Sequence, residues 1–149
     1  IIVAGASLFG WVLTVTQVTA TVTDFLTGVT ENPLLMLLII NIIILIVGCF
    51  METIAAISIL VPVLMPAVLH VGIDPVQFGV VMVLNLMIGL ITPPVGLCLF
   101  AVAEVAEISP VRLMRALVPF FVPLLASLLA ITLMPGLVLA IPRLFGFAN

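Results

Sequence analysis

Two short stretches carry nearly all the chemistry this chain could perform. The first is Gly89-Leu-Ile-Thr-Pro-Pro-Val-Gly96, with Asn85 one helical turn before it. It lies in a charge-free run from Pro75 to Ala103, where unbroken helix would be expected. Pro93 and Pro94 have no N–H, and proline pushes the residue before it away from helical dihedrals. The helix should therefore open around Ile91–Pro94, freeing the carbonyls of Gly89 and Leu90. Thr92 adds a hydroxyl, Asn85 an amide that could bridge to the opened strand, and the two glycines allow close approach. Unwound carbonyls of this kind hold cations in secondary transporters, and half-helix N-termini attract anions. The other reading of the same stretch is a packed proline kink. The second stretch is Gly48-Cys-Phe-Met-Glu-Thr53. A carboxylate at membrane depth is costly unless it is paired or bound to a cation. If two full spans flank Glu52, it sits in a turn in water; if both arms stop at mid-depth, it sits at the tip of a re-entrant hairpin. Arm length leaves both readings open.

The elements that position these stretches follow from composition. Of 149 residues, 66% are hydrophobic, with three basic and six acidic side chains and a net charge of −3. Soluble domains carry about 25% charge, so the solvent of this chain is a bilayer. With no basic cluster, nucleic acid is excluded as a partner. No nucleophile–base pair or phosphate-binding glycine motif is present, which argues against an enzyme. Cys49 and Cys98 read as buried thiols, and a single histidine, His70, rules against a zinc site and is expected at the surface.

Asn32-Pro33, Asp74-Pro75 and Ser109-Pro110 each set a capping side chain before a proline suited to the first helical turn. They divide the chain at 1–31, 32–73, 74–108 and 109–149. The opening residues lack a basic flank or an initiating Met and read as the end of a helix begun upstream. The threonine-rich stretch after them suits an amphipathic helix at the interface. From Pro33 to Val71 a straight helix would be roughly 55 Å long, so the chain must turn back near Gly48–Thr53. Pro75 to Glu107 suits one broken span, and the last block one tilted span kinked at Pro119, Pro123 and Pro135. Asn41 is expected to be packing glue between helices, and Glu104, Glu107, Arg112 and Arg115 to form interfacial ion pairs. Arg112 and Arg115 put their loop in the cytoplasm, with Asp74 and both ends of the second block outside; Arg143 would lie outside as well, against the rule. The fold class is all-α and polytopic.

The stretches Asn32–Thr53 and Pro62–Gly96, above all GIDPVQFGVVMVLNLMIGLITPPVG, resemble the C-terminal part of the large, DctM-like permease subunit of tripartite ATP-independent periplasmic (TRAP) transporters. The resemblance covers nearly the whole chain, and is weakest over residues 12–30 and after Pro119. It implies part of an inverted-repeat elevator transporter: the second re-entrant hairpin at 32–73, with its tip at Gly48–Thr53, then the second discontinuous helix. It further implies Na⁺-driven import of small organic anions, C4-dicarboxylate or sialic-acid-like, across the bacterial inner membrane. Gly48, Asn85, Gly89, Leu90, Thr92 and Pro93 would hold Na⁺, and Glu52, Thr53, Thr92 and Pro93 would face the substrate. Glu52 stands where family members often have aspartate. The implied partners are a small membrane subunit, a periplasmic substrate-binding protein, the missing N-terminal half of the permease and the lipid bilayer. A structural or channel-like subunit with packing kinks, or a non-functional gene fragment, is the alternative.

Overall fold

In the computed structural model, which describes residues 2–93 and 95–144, every regular element is an α-helix. In order they are α1 (Ile2–Val15), α2 (Val18–Val29), α3 (Pro33–Phe50), α4 (Thr53–His70), α5 (Pro75–Leu90), α6 (Leu97–Val105), α7 (Pro110–Leu133) and α8 (Pro135–Leu144). The three proline-led starts are capped as their residue types dictate. Asn32 Oδ1 accepts from Leu34 N at 3.0 Å, Asp74 Oδ1 from Val76 N at 2.7 Å, and Ser109 Oγ from Arg112 N at 3.3 Å. Gln17, at φ 56°, separates α1 from α2.

Side-chain contacts fix the directions of the helices. Asn41 meets Asn85 and, seven residues on, Gly48 meets Gly89, so α3 and α5 run parallel. Gln77 meets the carbonyl of Thr132, whereas Ile88 packs in a cluster with Leu128, Phe121 and Leu124, so α7 runs antiparallel to α5. Between α3 and α5, α4 returns the chain to the end where α3 began. Met36, Ile40 and Ile44 of α3 interlock with Phe78, Met82 and Leu86 of α5. Leu64, Ala67 and Val68 of α4 close that core, and Leu26 of α2 joins it. Thr21, Thr23 and Thr27 of α2 turn their hydroxyls back on the carbonyl four residues before, Thr23 to Thr19 O and Thr27 to Thr23 O both at 2.8 Å.

Register then gives depth. Asn41 is level with Thr132. From that level α3 advances about 10 Å to Gly48, while α7 extends about 33 Å back to Pro110 at 1.5 Å per residue. The α3–α4 connection and the α5–α6 break therefore lie alongside the middle of α7, and about 20 Å of α7 continues past them, with α6 packed on it.

By length and composition α3, α4 and α7 can each cross a membrane, and α5 is apolar but shorter. Large apolar side chains cover the outside, among them Phe25, Ile42, Phe100, Phe120 and Val122, a surface suited to lipid or to protein beyond these residues. Three expectations are corrected. Cys98 is exposed, whereas Cys49 is buried as expected. Over its described residues the fourth block is two helices, not one kinked span: α7 passes through Pro119 and Pro123, then stops at Met134, where Pro135 offers no N–H to continue it. The side chain of Arg143 lies outside the described residues. Nor do Glu104, Glu107, Arg112 and Arg115 form ion pairs. All four are exposed, and Glu107 at φ 53° turns the chain sharply away from α6.

Candidate functional site

The break after Leu90 is a short non-helical passage closed at its start by three hydrogen bonds. Ile91 N donates to Ile88 O (3.2 Å), Thr92 N to Gly89 O (2.9 Å) and Thr92 Oγ1 to Ile88 O (2.6 Å). The Gly89 carbonyl is thus occupied, contrary to expectation, because the backbone tightens by one residue before it opens. Leu90 differs. Its ordinary helical donors would be residues 93 and 94, both prolines, so its carbonyl is the one the sequence frees. Pro94 itself lies outside the described residues. The passage ends at Gly96, in the left-handed region at φ 50°, where a Cβ would sit 2.9 Å from Leu99 Cδ1 and 3.2 Å from the Thr92 carbonyl. Conformation and space both demand glycine there. No side chain caps α6, whose N-terminus opens toward the break.

At the α3–α4 connection only Met51 and Glu52 are non-helical. Met51 N closes on Val47 O at 3.0 Å. Glu52 is exposed, and both its carboxylate oxygens cap α4, Oε1 accepting from Ile54 N (2.9 Å) and Oε2 from Ala55 N (3.1 Å). A carboxylate at a helix N-terminus suits the helix dipole. Thr53, in contrast, is buried, and its hydroxyl has no hydrogen-bond partner.

Gly48 and Gly89 join these two places. A Cβ on Gly89 would lie 2.7 Å from Gly48 C, 2.8 Å from Gly48 Cα and 3.1 Å from Gly48 O. Backbone therefore touches backbone, and the carbonyl of Gly48 lies against the last turn of α5. Asn85, Gly89 and Thr92, spaced four and three apart, share one face of that helix end. The Asn85 side chain is fully buried and makes no hydrogen bond to the opened strand. Its Nδ2 donates both protons to Asn41, to the main-chain O at 2.8 Å and to Oδ1 at 2.9 Å. Asn41 Nδ2 in turn donates to Thr132 Oγ1 at 2.9 Å, and Thr132 to Leu128 O at 2.7 Å. The Asn85 Oδ1 remains buried with no donor.

Of the residues singled out from sequence, Gly48 and Gly89 come together directly; Asn85 stands one turn earlier on α5 with its amide on Asn41, and Leu90, Thr92 and Pro93 follow in the chain. Thr53 and Glu52 stand at the neighbouring connection. Thr132 and Gln77 were missed. Each is an isolated polar residue in an apolar helix, and that pattern was the available signal. A cavity of about 650 Å³ lies at the other end of α3 and α5, lined by Pro33, Leu69, Asp74, Gln77, Thr132 and Leu139 among others, away from this site. Among the described residues, no three His, Cys, Asp or Glu side chains group to hold a metal ion. A cation at the break would rest on neutral oxygens.

A family model described as "Tripartite ATP-independent periplasmic transporter, DctM component" matches residues 1–137. The chain belongs to this family. The chain is 41% identical over 145 residues to the sialic acid TRAP transporter large permease protein SiaM of Vibrio cholerae, covering 97% of this chain and 34% of that protein. Against the isethionate TRAP transporter permease protein DctMQ of Oleidesulfovibrio alaskensis, identity is 43% over 145 residues, 97% of this chain and 22% of that protein. Against the C4-dicarboxylate TRAP transporter large permease protein DctM of Pseudomonas aeruginosa it is 41% over 147 residues, 99% of this chain and 34% of that one. The chain thus spans about a third or less of the length of these relatives. As a DctM-family chain it is a multi-pass component of the bacterial inner membrane and part of a transporter permease rather than an enzyme.

Proposed function

We propose that this chain supplies the C-terminal half-site of a Na⁺-coupled secondary transporter that imports small organic anions of the C4-dicarboxylate or sialic-acid type. One observation carries the reading: the α3–α4 connection and the α5–α6 break are docked backbone to backbone at Gly48 and Gly89, alongside the middle of α7. Non-helical backbone at such depth must be buried in protein or line a cavity, where its oxygens act as ligands. The carbonyls of Gly48, Leu90 and Pro93, the Thr92 hydroxyl and the Asn85 Oδ1 would receive Na⁺, with Gly89 as the contact that lets the two elements meet. Thr53, Thr92 and Pro93 would face the anion, near the uncapped start of α6. Glu52 serves the pocket as the cap that holds the start of α4, since its carboxylate would repel an organic anion directly.

Ordering of the two elements by Na⁺ would complete the pocket, and the hairpin α3–α4 with α5–α6 would then move as one body past a scaffold, as in an elevator. The rest of the permease, a small membrane subunit and a periplasmic binding protein would complete the machine. The test is uptake of labelled C4-dicarboxylate and of sialic acid into proteoliposomes holding the full-length permease and its small subunit, with binding protein outside. The reading predicts saturable uptake of one of them that requires an inward Na⁺ gradient. Non-saturating conduction indifferent to Na⁺ would replace it with a passive pore.

A further inference from the structure

Buried polar side chains in an apolar bundle demand partners, and this bundle holds one chain of them across three helices. It begins at the Leu128 carbonyl, which accepts from Thr132 Oγ1; that oxygen accepts from Asn41 Nδ2. The two acceptors of Asn41, its main-chain O and its Oδ1, take both protons of Asn85 Nδ2. Asn41, Asn85 and Thr132 are 7%, 0% and 1% exposed, so water does not compete for these bonds. The direction of the chain is dictated by chemistry. Turning the Asn85 amide over would set its Oδ1 against two other oxygens with no proton between them. The amide therefore has one orientation, and in it Oδ1 is a buried acceptor without a donor. Buried acceptors are rarely left in that state unless a ligand or bound water completes them.

We propose that Asn41, anchored by Thr132, is the positioning residue of the cation site: it locks the Asn85 amide so that Oδ1 is presented to Na⁺. The inference rests on the functional reading above and deepens it. Asn85 shares its helix face with Gly89 and Thr92, so the presented oxygen belongs to the same end of α5 as the break. Outer partners of this kind orient a ligand without touching the ion, and their loss typically weakens metal binding by about 10–100-fold. Through Thr132 the orientation also depends on α7, which links ion affinity to the packing of α5 against α7.

The experiment uses the full-length permease with its small subunit and binding protein in proteoliposomes, and titrates external Na⁺ at saturating substrate. Asn41→Leu keeps the side-chain volume and removes the acceptor Oδ1 and the donor Nδ2. It should raise the Na⁺ concentration for half-maximal uptake about tenfold or more, with the maximal rate at saturating Na⁺ largely kept. Thr132→Val, which removes one hydroxyl in place, should shift the same midpoint in the same direction by less, and Thr132→Ser should restore it. A midpoint unchanged in Thr132→Val and in Asn41→Leu overturns the proposal, as does a fall in maximal rate alone. Wild-type uptake that ignores Na⁺ would instead sink the underlying functional reading, so the two failures are distinguishable.

Discussion

Replacing Gly89 by alanine should separate the two elements of the site. The added Cβ would stand 2.7 and 2.8 Å from backbone atoms of Gly48, well inside the 3.4–4 Å of ordinary contact. Backbone cannot rotate away as a side chain can, so α3 and α5 must part by roughly 1 Å at this level, and such overpacking costs about 1–3 kcal/mol. Alanine recovers up to about 1 kcal/mol of helix propensity, leaving a net loss of up to about 2 kcal/mol where that recovery is full. Gly48→Ala is milder, because its Cβ would meet Gly89 Cα and Leu86 Cδ2 at 3.3 Å, and Gly79→Ala meets nothing within 4 Å. The full-length permease in detergent should therefore lose thermal stability in the order Gly89→Ala, then Gly48→Ala, with Gly79→Ala equal to or above wild type. Uptake in proteoliposomes should fall in the same order. A Gly89→Ala protein with wild-type midpoint and wild-type uptake would refute the backbone contact and the depth argument built on it.

Other perturbations separate structure from chemistry. Glu52→Ala removes a two-bond cap, and should lower the stability of the purified permease by about 0.5–2 kcal/mol, read as a lower unfolding midpoint. Pro93→Ala returns an N–H that Gly89 could bond in a continued helix; uptake should drop while the unfolding midpoint stays level or rises. Asn41→Leu should shift the Na⁺ midpoint of uptake about tenfold, as argued above.

Much of this arrangement was legible because local chemistry decided it. Asn32, Asp74 and Ser109 before prolines announced three helix starts, and the structure uses each side chain as the cap. The double proline marked the break, and the length of the second block required a turn near Glu52, which the structure places at Met51–Glu52. Tertiary partners were not legible. Nothing local says that Asn41 faces Asn85 rather than lipid, that Asn85 gives both its amide protons to Asn41, or that Gly48 and Gly89 meet, since these depend on a parallel register of helices more than thirty residues apart in sequence. The tightened turn that occupies the Gly89 carbonyl was equally hidden, because proline removes donors without dictating where the remaining N–H groups turn. Pro135 was read as a kink rather than an end, because internal prolines such as Pro119 and Pro123 are tolerated in the same helix.

The central claim is that the break and the adjoining connection form one Na⁺-dependent site, and Thr92 is its most exposed dependency. Its hydroxyl donates to Ile88 O at 2.6 Å and leaves its lone pairs to the break. Uptake by the full-length permease, measured with and without an inward Na⁺ gradient for wild type and Thr92→Ala, tests this most directly. The account predicts that wild-type uptake requires Na⁺ and that Thr92→Ala loses most of it while remaining folded. Uptake independent of Na⁺, or a Thr92→Ala protein that transports as wild type does, would contradict the account and leave Gly89–Gly96 a packed kink.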